Sequence, residues 1–127
     1  MTKPQILAWA AVAALAVILG VASLLAPAHL PVKPLWHVGG FAALSAMTVT
    51  ASLASSDGDG RTRAALIALA MVCFLALGFE VAQAYEYGGE LELGDMGTNL
   101  LGCLLGGPIV MRARSGGNAR PAANRPS

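Results

Sequence analysis

Charged side chains are scarce in this sequence. Asp, Glu, Lys and Arg together make up 12% of its 127 residues, whereas soluble globular proteins average about 25%. Hydrophobic residues account for 56% of the chain, and the mean hydropathy is +0.65. A surface with so few charges cannot face water on all sides, and a chain this apolar is not disordered throughout. The composition therefore predicts an integral membrane protein.

The chain also has almost no net positive charge and few cysteines. The net charge is +1, so the chain has no basic surface of the kind that binds nucleic acid. The only cysteines, Cys73 and Cys103, are too few for a zinc site with four thiolate ligands, and both fall inside apolar stretches. We interpret them as small buried thiols and assign neither a cofactor nor a metal site to the sequence.

Four stretches of the chain are apolar enough to be membrane spans, each of which needs about 20 residues. They are predicted at about residues 6–25, 35–54, 64–85 and 95–111. The fourth is the least hydrophobic. The sequence thus predicts an all-α, four-transmembrane-helix bundle in a single domain, residues 1–112. The remaining residues, 113–127, are mostly Gly, Ala, Asn, Pro and Arg and predict a disordered cytoplasmic tail.

The distribution of basic residues predicts the orientation of the bundle. One side of the predicted spans has seven of the eight basic residues, and the other side has only Lys33. The loop between spans three and four has three glutamates and no basic residue. Cytoplasmic loops are enriched in Lys and Arg, so both termini are predicted in the cytoplasm. The first span, followed by Ala26 and Ala28, also resembles a secretory signal, although its 20 apolar residues exceed the usual 7–15.

Ionisable residues inside a span cost about 2.5–3.5 kcal/mol on insertion scales, and they usually have a partner or a function. Span two begins with a histidine, span three has a glutamate and a glutamine near its end, and span four has an aspartate and an asparagine near its start. With the predicted orientation, all five lie in one layer beneath the outer surface. These candidate binding residues are His37, Glu80, Gln83, Asp95 and Asn99.

The spacing of these residues places them on helix faces in pairs. Glu80 and Gln83 are three residues apart, and Asp95 and Asn99 are four apart, so each pair shares one face. The face of Asn99 continues through Gly102 and Gly106, a small-xxx-small pattern that lets helices approach closely. We assign these glycines to helix packing. Asp95 also stands where a residue could cap the start of span four.

Three segments of the chain resemble the VanZ-like family of small bacterial membrane proteins, which is named for a protein of low-level teicoplanin resistance. They are the segment from His37 to Phe41, the Glu-x-x-Gln of residues 80–83, and the Asp-x-x-x-Asn-x-x-Gly-x-x-x-Gly of residues 95–106. The resemblance covers three of the four spans. It implies a location in the bacterial plasma membrane and a role in the cell envelope, such as glycopeptide tolerance. The family usually has an Arg between the Gln and the Asp, whereas this chain has none. The absence of this Arg argues against a phosphate-binding site.

The polar layer permits four interpretations. It could join helices as a structural module, since interhelical polar contacts average about 0.6 kcal/mol. It could bind an outer-leaflet lipid, a lipid-linked wall precursor or another amphiphile. It could belong to a membrane-embedded enzyme, with His37, Glu80 and Asp95 as candidate acid–base or metal-binding groups. A small transporter is the fourth interpretation, although Glu80 is too shallow for a site at the membrane midplane.

The expected partners follow from these interpretations. Membrane lipids surround the bundle in all of them, and a lipid-linked wall precursor or an amphiphilic ligand is a partner in the second and third. The glycine-rich faces permit a homodimer, but they serve equally well for packing inside one bundle.

Overall fold

The structure, a computed structural model, describes residues 1–25, 33–58, 60–87, 89 and 91–117. These residues form four α-helices: α1 (Lys3–Leu25), α2 (Lys33–Ser55), α3 (Gly60–Tyr87) and α4 (Leu93–Gly117). The predicted all-α class is thus confirmed for the described residues. The small residues after the first span, 26–28, and the tail residues 118–127 lie outside them.

Three of the helices are long and apolar enough to cross a membrane, and they contain the segments Lys3–Ser23, Leu35–Ser55 and Gly60–Glu86. The fourth helix, α4, is 25 residues long but does not meet the same measure of apolar character. The three-helix result agrees with an integral membrane protein. The fourth span and the orientation of the bundle stay predictions.

The helices begin and end slightly outside the predicted spans. Each begins two to four residues before its predicted span, and α4 continues to Gly117, where the sequence predicts a tail from residue 113. The turn between α2 and α3 is short. At that turn Gly58 has φ of 58°, a left-handed conformation that glycine adopts without steric cost. The backbone N–H of Arg61 donates to the carbonyl of Gly58 at 3.3 Å.

The four helices alternate in direction, as their contacts show. Near one end, Trp9 of α1 donates to Ser55 of α2 at 3.3 Å, and Gln5 donates to the carbonyl of Ala54 at 3.0 Å. Since these are the first residues of α1 and the last of α2, the two helices are antiparallel. Helices α2 and α3 each pack against all three other helices, while α1 packs against α2 and α3.

Part of the interior of the bundle is an apolar core. One core cluster joins all four helices and consists of Leu19, Phe41, Leu44, Val72, Ala76 and Cys103. Large apolar side chains cover much of the outside as well, among them Val17, Met71, Phe74, Leu104 and Ile109. An exposed apolar surface on every helix fits lipid as the surrounding solvent rather than water.

Helices α2 and α4 approach each other unusually closely, at two glycines of α4. A Cβ atom added to Gly102 would lie 2.5 Å from the carbonyl oxygen of Val38, and one added to Gly106 would overlap the carbonyl group of Ala42. Only glycine fits at these positions. The small-xxx-small face of α4 is therefore occupied inside the chain, against α2.

Candidate functional site

Four of the five predicted polar residues meet at one end of the bundle. His37 lies in the second turn of α2, Glu80 lies two turns before the end of α3, and Asp95 and Asn99 lie in the first two turns of α4. Because α3 runs opposite to α2 and α4, the start of two helices and the end of the third reach the same level. We call His37, Glu80, Asp95 and Asn99 the polar cluster.

The contacts within the polar cluster are centred on Glu80. The side-chain amide of Asn99 donates to Oε1 of Glu80, with Nδ2 and Oε1 2.5 Å apart. The same carboxylate oxygen lies 3.6 Å from Nδ1 of His37. One ligand atom from each of His37, Glu80 and Asp95 can be chosen so that all three lie within 4.8 Å of one another. Three helices therefore direct an imidazole, two carboxylates and an amide at one point.

All four side chains of the cluster are withdrawn from the surface. Asn99 is 0% exposed, His37 1%, Glu80 3% and Asp95 9%, so Asp95 is the member nearest to the surroundings. Phe41, one turn after His37, belongs to the apolar core. It packs on Phe79 with ring centroids 6.1 Å apart.

Two buried polar atoms of the cluster have no hydrogen-bond partner among the described residues. They are Nδ1 of His37 and Oδ1 of Asn99. Such an atom costs about 1–3 kcal/mol when it is buried without a partner. Most buried side-chain polar atoms in proteins have at least one partner, so two such atoms in one cluster indicate a place that a ligand, an ion or a water could complete.

Basic residues are few in the segments that form the cluster. No Lys or Arg occurs between Arg63 and Arg112. The basic residue of the sequence nearest to this end is Lys33, the first residue of α2, whose side chain lies outside the described part of the chain. The start of α4 contributes the positive end of a helix dipole near Asp95. The carboxylates, the imidazole and the amide of the cluster offer several acceptor atoms to a ligand that donates hydrogen bonds.

Asp95 lies inside α4 rather than at its cap. The helix begins at Leu93, so Asp95 is its third residue. Its backbone carbonyl accepts a hydrogen bond from Oγ1 of Thr98 at 2.9 Å. A carboxylate in the first turn of a helix is stabilised by the dipole, and here the same residue also belongs to the polar cluster.

Gln83, the fifth predicted residue, lies apart from the cluster. Its amide donates to the backbone carbonyl of Ser23 in α1, with Nε2 and O 2.6 Å apart. The hydrogen bond ties α1 to α3 at the same end of the bundle. Gln83 therefore joins two helices, and its hydrogen bond is directed to α1 and not into the cluster.

Sequence reasoning missed the polar contacts that lie outside the layer. Ser45 is fully buried, and its hydroxyl donates to the backbone carbonyl of Cys103 in α4 at 2.8 Å. At the opposite end of the bundle, Nε of Arg61 donates to the carbonyl of Leu53 at 3.2 Å. Their acceptors are backbone carbonyls, which leave no pattern in a sequence. These contacts join helices without ionisable pairs, unlike the cluster.

The exposed aromatic residues near the cluster fit the level of a membrane interface. Trp36 is 49% exposed and Tyr85 is 88% exposed, and both lie at the end of the bundle where the cluster lies. Trp and Tyr favour the boundary between hydrocarbon and head groups. The cluster would then be just below the head groups, within reach of a polar ligand.

The comparisons with known proteins leave the chain's family open. No family model, no curated protein and no solved structure matches this sequence or this fold.

Proposed function

We propose that this chain is a four-span membrane protein of the VanZ-like type, located in the bacterial plasma membrane, and that its polar cluster binds the polar part of an outer-leaflet amphiphile. The role is one in the cell envelope. The ligand would be a lipid head group, a lipid-linked wall precursor or a comparable amphiphile, and binding would underlie tolerance of a glycopeptide such as teicoplanin.

The charges at the two ends of the bundle support an orientation with the polar cluster on the outer side of the membrane. Arg61, Arg63, Arg112 and Arg114 lie at the end opposite the polar cluster, and Lys3 opens α1 at that same end. A four-span bundle with this end in the cytoplasm obeys the positive-inside rule. Helix α4 would be about 37 Å long at 1.5 Å per residue, which is enough for a hydrocarbon core of about 30 Å.

The observation that carries the proposal is the convergence of His37, Glu80, Asp95 and Asn99 at one end, with two of their buried polar atoms lacking a hydrogen-bond partner among the described residues. A purely structural cluster is expected to satisfy its own members, because a half-satisfied polar network is less stable than an apolar core. Here the network has spare hydrogen-bonding capacity. A ligand's hydroxyl, amine or amide groups would use it.

A membrane-embedded enzyme that acts on a lipid-linked envelope substrate is the second candidate function. The specific observation in its favour is the approach of His37 and Glu80, 3.6 Å apart. A carboxylate beside a histidine can orient the imidazole as a general base, and the amide of Asn99 could stabilise developing negative charge on a substrate. Both candidates place the ligand in the same cluster, and a changed lipid product would identify the enzyme.

The test compares two identical substitutions on one helix. Glu80→Gln removes the central charge of the cluster and keeps the size of the side chain. Glu86→Gln makes the same change at an exposed position of α3 near the same end, and it is the matched control. Each variant is expressed in a host sensitive to teicoplanin, and the membrane-inserted yield, the melting temperature in detergent and the tolerance of the host are measured.

Normal yield with tolerance lost in Glu80→Gln and retained in Glu86→Gln is the expected result. Equal tolerance in both variants, at equal yield, would contradict a binding role of the cluster. Loss of yield in Glu80→Gln alone would mean that the cluster mainly joins helices. In that case Asp95→Asn, at the most exposed member, repeats the test with less effect on packing.

A further inference from the structure

We propose that the polar cluster binds one divalent transition-metal ion of the zinc type, with His37, Glu80 and Asp95 as its protein ligands. The proposal deepens the function proposed above and rests on the same cluster being a ligand site. The cluster would bind the metal ion directly, and the amphiphile would bind to the metal ion.

The donor set has the composition of a metal site. Zinc is bound in proteins by histidine nitrogen and by carboxylate oxygen, and catalytic or exchangeable sites have three protein ligands with one position open. His37, Glu80 and Asp95 supply one nitrogen and two carboxylates. One His with two carboxylates suits zinc and neighbouring first-row ions better than the softer, thiolate-preferring ions.

The distances are close to those of a coordinated ion. Ligands at about 2.1 Å from a tetrahedral ion lie roughly 3.4 Å from one another. Nδ1 of His37 and Oε1 of Glu80 are 3.6 Å apart. One ligand atom from each of the three residues can be chosen so that all three lie within 4.8 Å of one another.

One buried atom of the cluster points to a missing ligand. Nδ1 of His37 is buried and has no hydrogen-bond partner among the described residues, although it is the atom that faces Glu80. At 3.6 Å it is too distant from the carboxylate for a hydrogen bond, but the separation suits two ligands of one ion.

Asn99 has the properties of a residue that supports a metal ligand from outside the coordination shell. Its Nδ2 donates to Oε1 of Glu80 and fixes the direction of that carboxylate, as outer-shell partners of metal ligands commonly do. Its Oδ1 has no hydrogen-bond partner among the described residues and could accept from a water on the ion. We assign Asn99 a positioning role.

The ion would also give an envelope ligand a direct contact with the cluster. A divalent ion with three protein ligands leaves an open position for an oxygen ligand. Carboxylate, phosphate and hydroxyl groups of an amphiphile could then bind the ion.

The test is metal binding by the full-length protein in detergent micelles, purified with an affinity tag that contains no histidine. After chelator treatment, Zn²⁺ is titrated calorimetrically, with Mg²⁺ as the comparison ion, and bound zinc is counted by mass spectrometry. We expect one Zn²⁺ per chain in the wild type and in Glu86→Gln, and a loss of at least about tenfold in affinity in Glu80→Gln and Asp95→Asn. For Asn99→Ala the expected loss is about 10–100-fold, as for other outer-shell changes.

A spectroscopic variant keeps the test independent of folding losses. Co²⁺ in place of Zn²⁺ gives visible absorption, and His37→Cys adds a sulfur-to-metal charge-transfer band only if residue 37 is a ligand. The wild type has cysteines at 73 and 103, so the band is measured as the difference between variant and wild type. Appearance of the band supports the proposal, and its absence in a folded variant that binds Co²⁺ overturns it.

The two proposals fail in different ways. If the wild type binds no Zn²⁺, or binds it equally well in Glu80→Gln, the metal site is refuted, while loss of teicoplanin tolerance in Glu80→Gln would still support the amphiphile site. If Zn²⁺ binds to the cluster but Glu80→Gln leaves tolerance unchanged, the metal site stands and the envelope function falls.

Discussion

Gly106→Ala should separate α2 from α4 and destabilise the bundle. The added Cβ would lie 2.7 Å from the carbonyl carbon of Ala42 and 2.9 Å from its Cα, and it would overlap the carbonyl oxygen. These are backbone atoms, so no side-chain rotation relieves the contact and one helix must move. Overpacking of this kind costs about 1–3 kcal/mol. The free energy of unfolding, measured by titration with a denaturing detergent, should fall by that amount.

Gly97→Ala is the matched control for this prediction. Gly97 also lies on α4, but a Cβ added there meets nothing within 4 Å. Since alanine is favoured over glycine in a helix by about 1 kcal/mol, this variant should be as stable as the wild type or slightly more stable. The two substitutions should therefore differ by about 2–4 kcal/mol. Equal stabilities would refute the close approach of α2 and α4.

The other predictions concern the orientation and the individual hydrogen bonds. In a cysteine-free background, Glu86→Cys should react with a membrane-impermeant maleimide in intact cells, and Asp57→Cys should react only after permeabilisation. The reverse pattern would show that the bundle has the opposite orientation. Gln83→Ala, which loses its hydrogen bond to α1, should lower the free energy of unfolding by about 0.6 kcal/mol and leave ligand binding unchanged, which an affinity measurement checks. Asn99→Ala and Glu80→Gln should show a coupling energy of about 0.5–3 kcal/mol in a double-mutant cycle, whereas additive effects would contradict their buried hydrogen bond.

The helical architecture could be predicted because the apolar runs have only one way to satisfy their backbone in a membrane. Each N–H and C=O must bond within the helix itself, so a run such as 6–25 becomes a helix almost regardless of its details. The weaker fourth run is less constrained by composition. Its helix in the structure depends more on packing against α2, through Gly102 and Gly106, than on hydropathy.

The level of the polar residues could also be predicted, since helices that alternate in direction bring His37, Glu80 and Asp95 to one end. Which of these side chains contact one another could not be predicted. Glu80 and Gln83 share a helix face only approximately, because three residues advance the helix by about 300° and leave an offset of about 60°. On α3, which has α1 on one side and α4 on the other, this offset is enough to direct Gln83 to Ser23 and Glu80 to Asn99.

Backbone acceptors explain most of what sequence reasoning missed. The carbonyl of Cys103 accepts from Ser45, and the carbonyl of Ser23 accepts from Gln83, but any residue type could supply such a carbonyl. The close packing of α4 on α2 was equally hidden. It follows from the small residues that let α4 approach Val38 and Ala42, and the sequence does not show which helix faces these residues.

The account's central claim is that the polar cluster serves a ligand and is not needed to hold the helices together. The most direct measurement is the free energy of unfolding of a variant whose cluster has no ionisable group, His37→Leu with Glu80→Met, Asn99→Val and Asp95→Asn, alongside the teicoplanin tolerance of its host. Replacement of buried polar groups by apolar residues of similar volume is often neutral or stabilising by about 1–4 kcal/mol. The account predicts stability equal to or above the wild type together with complete loss of tolerance. A bundle destabilised by several kcal/mol, or a stable bundle with unchanged tolerance, would contradict it.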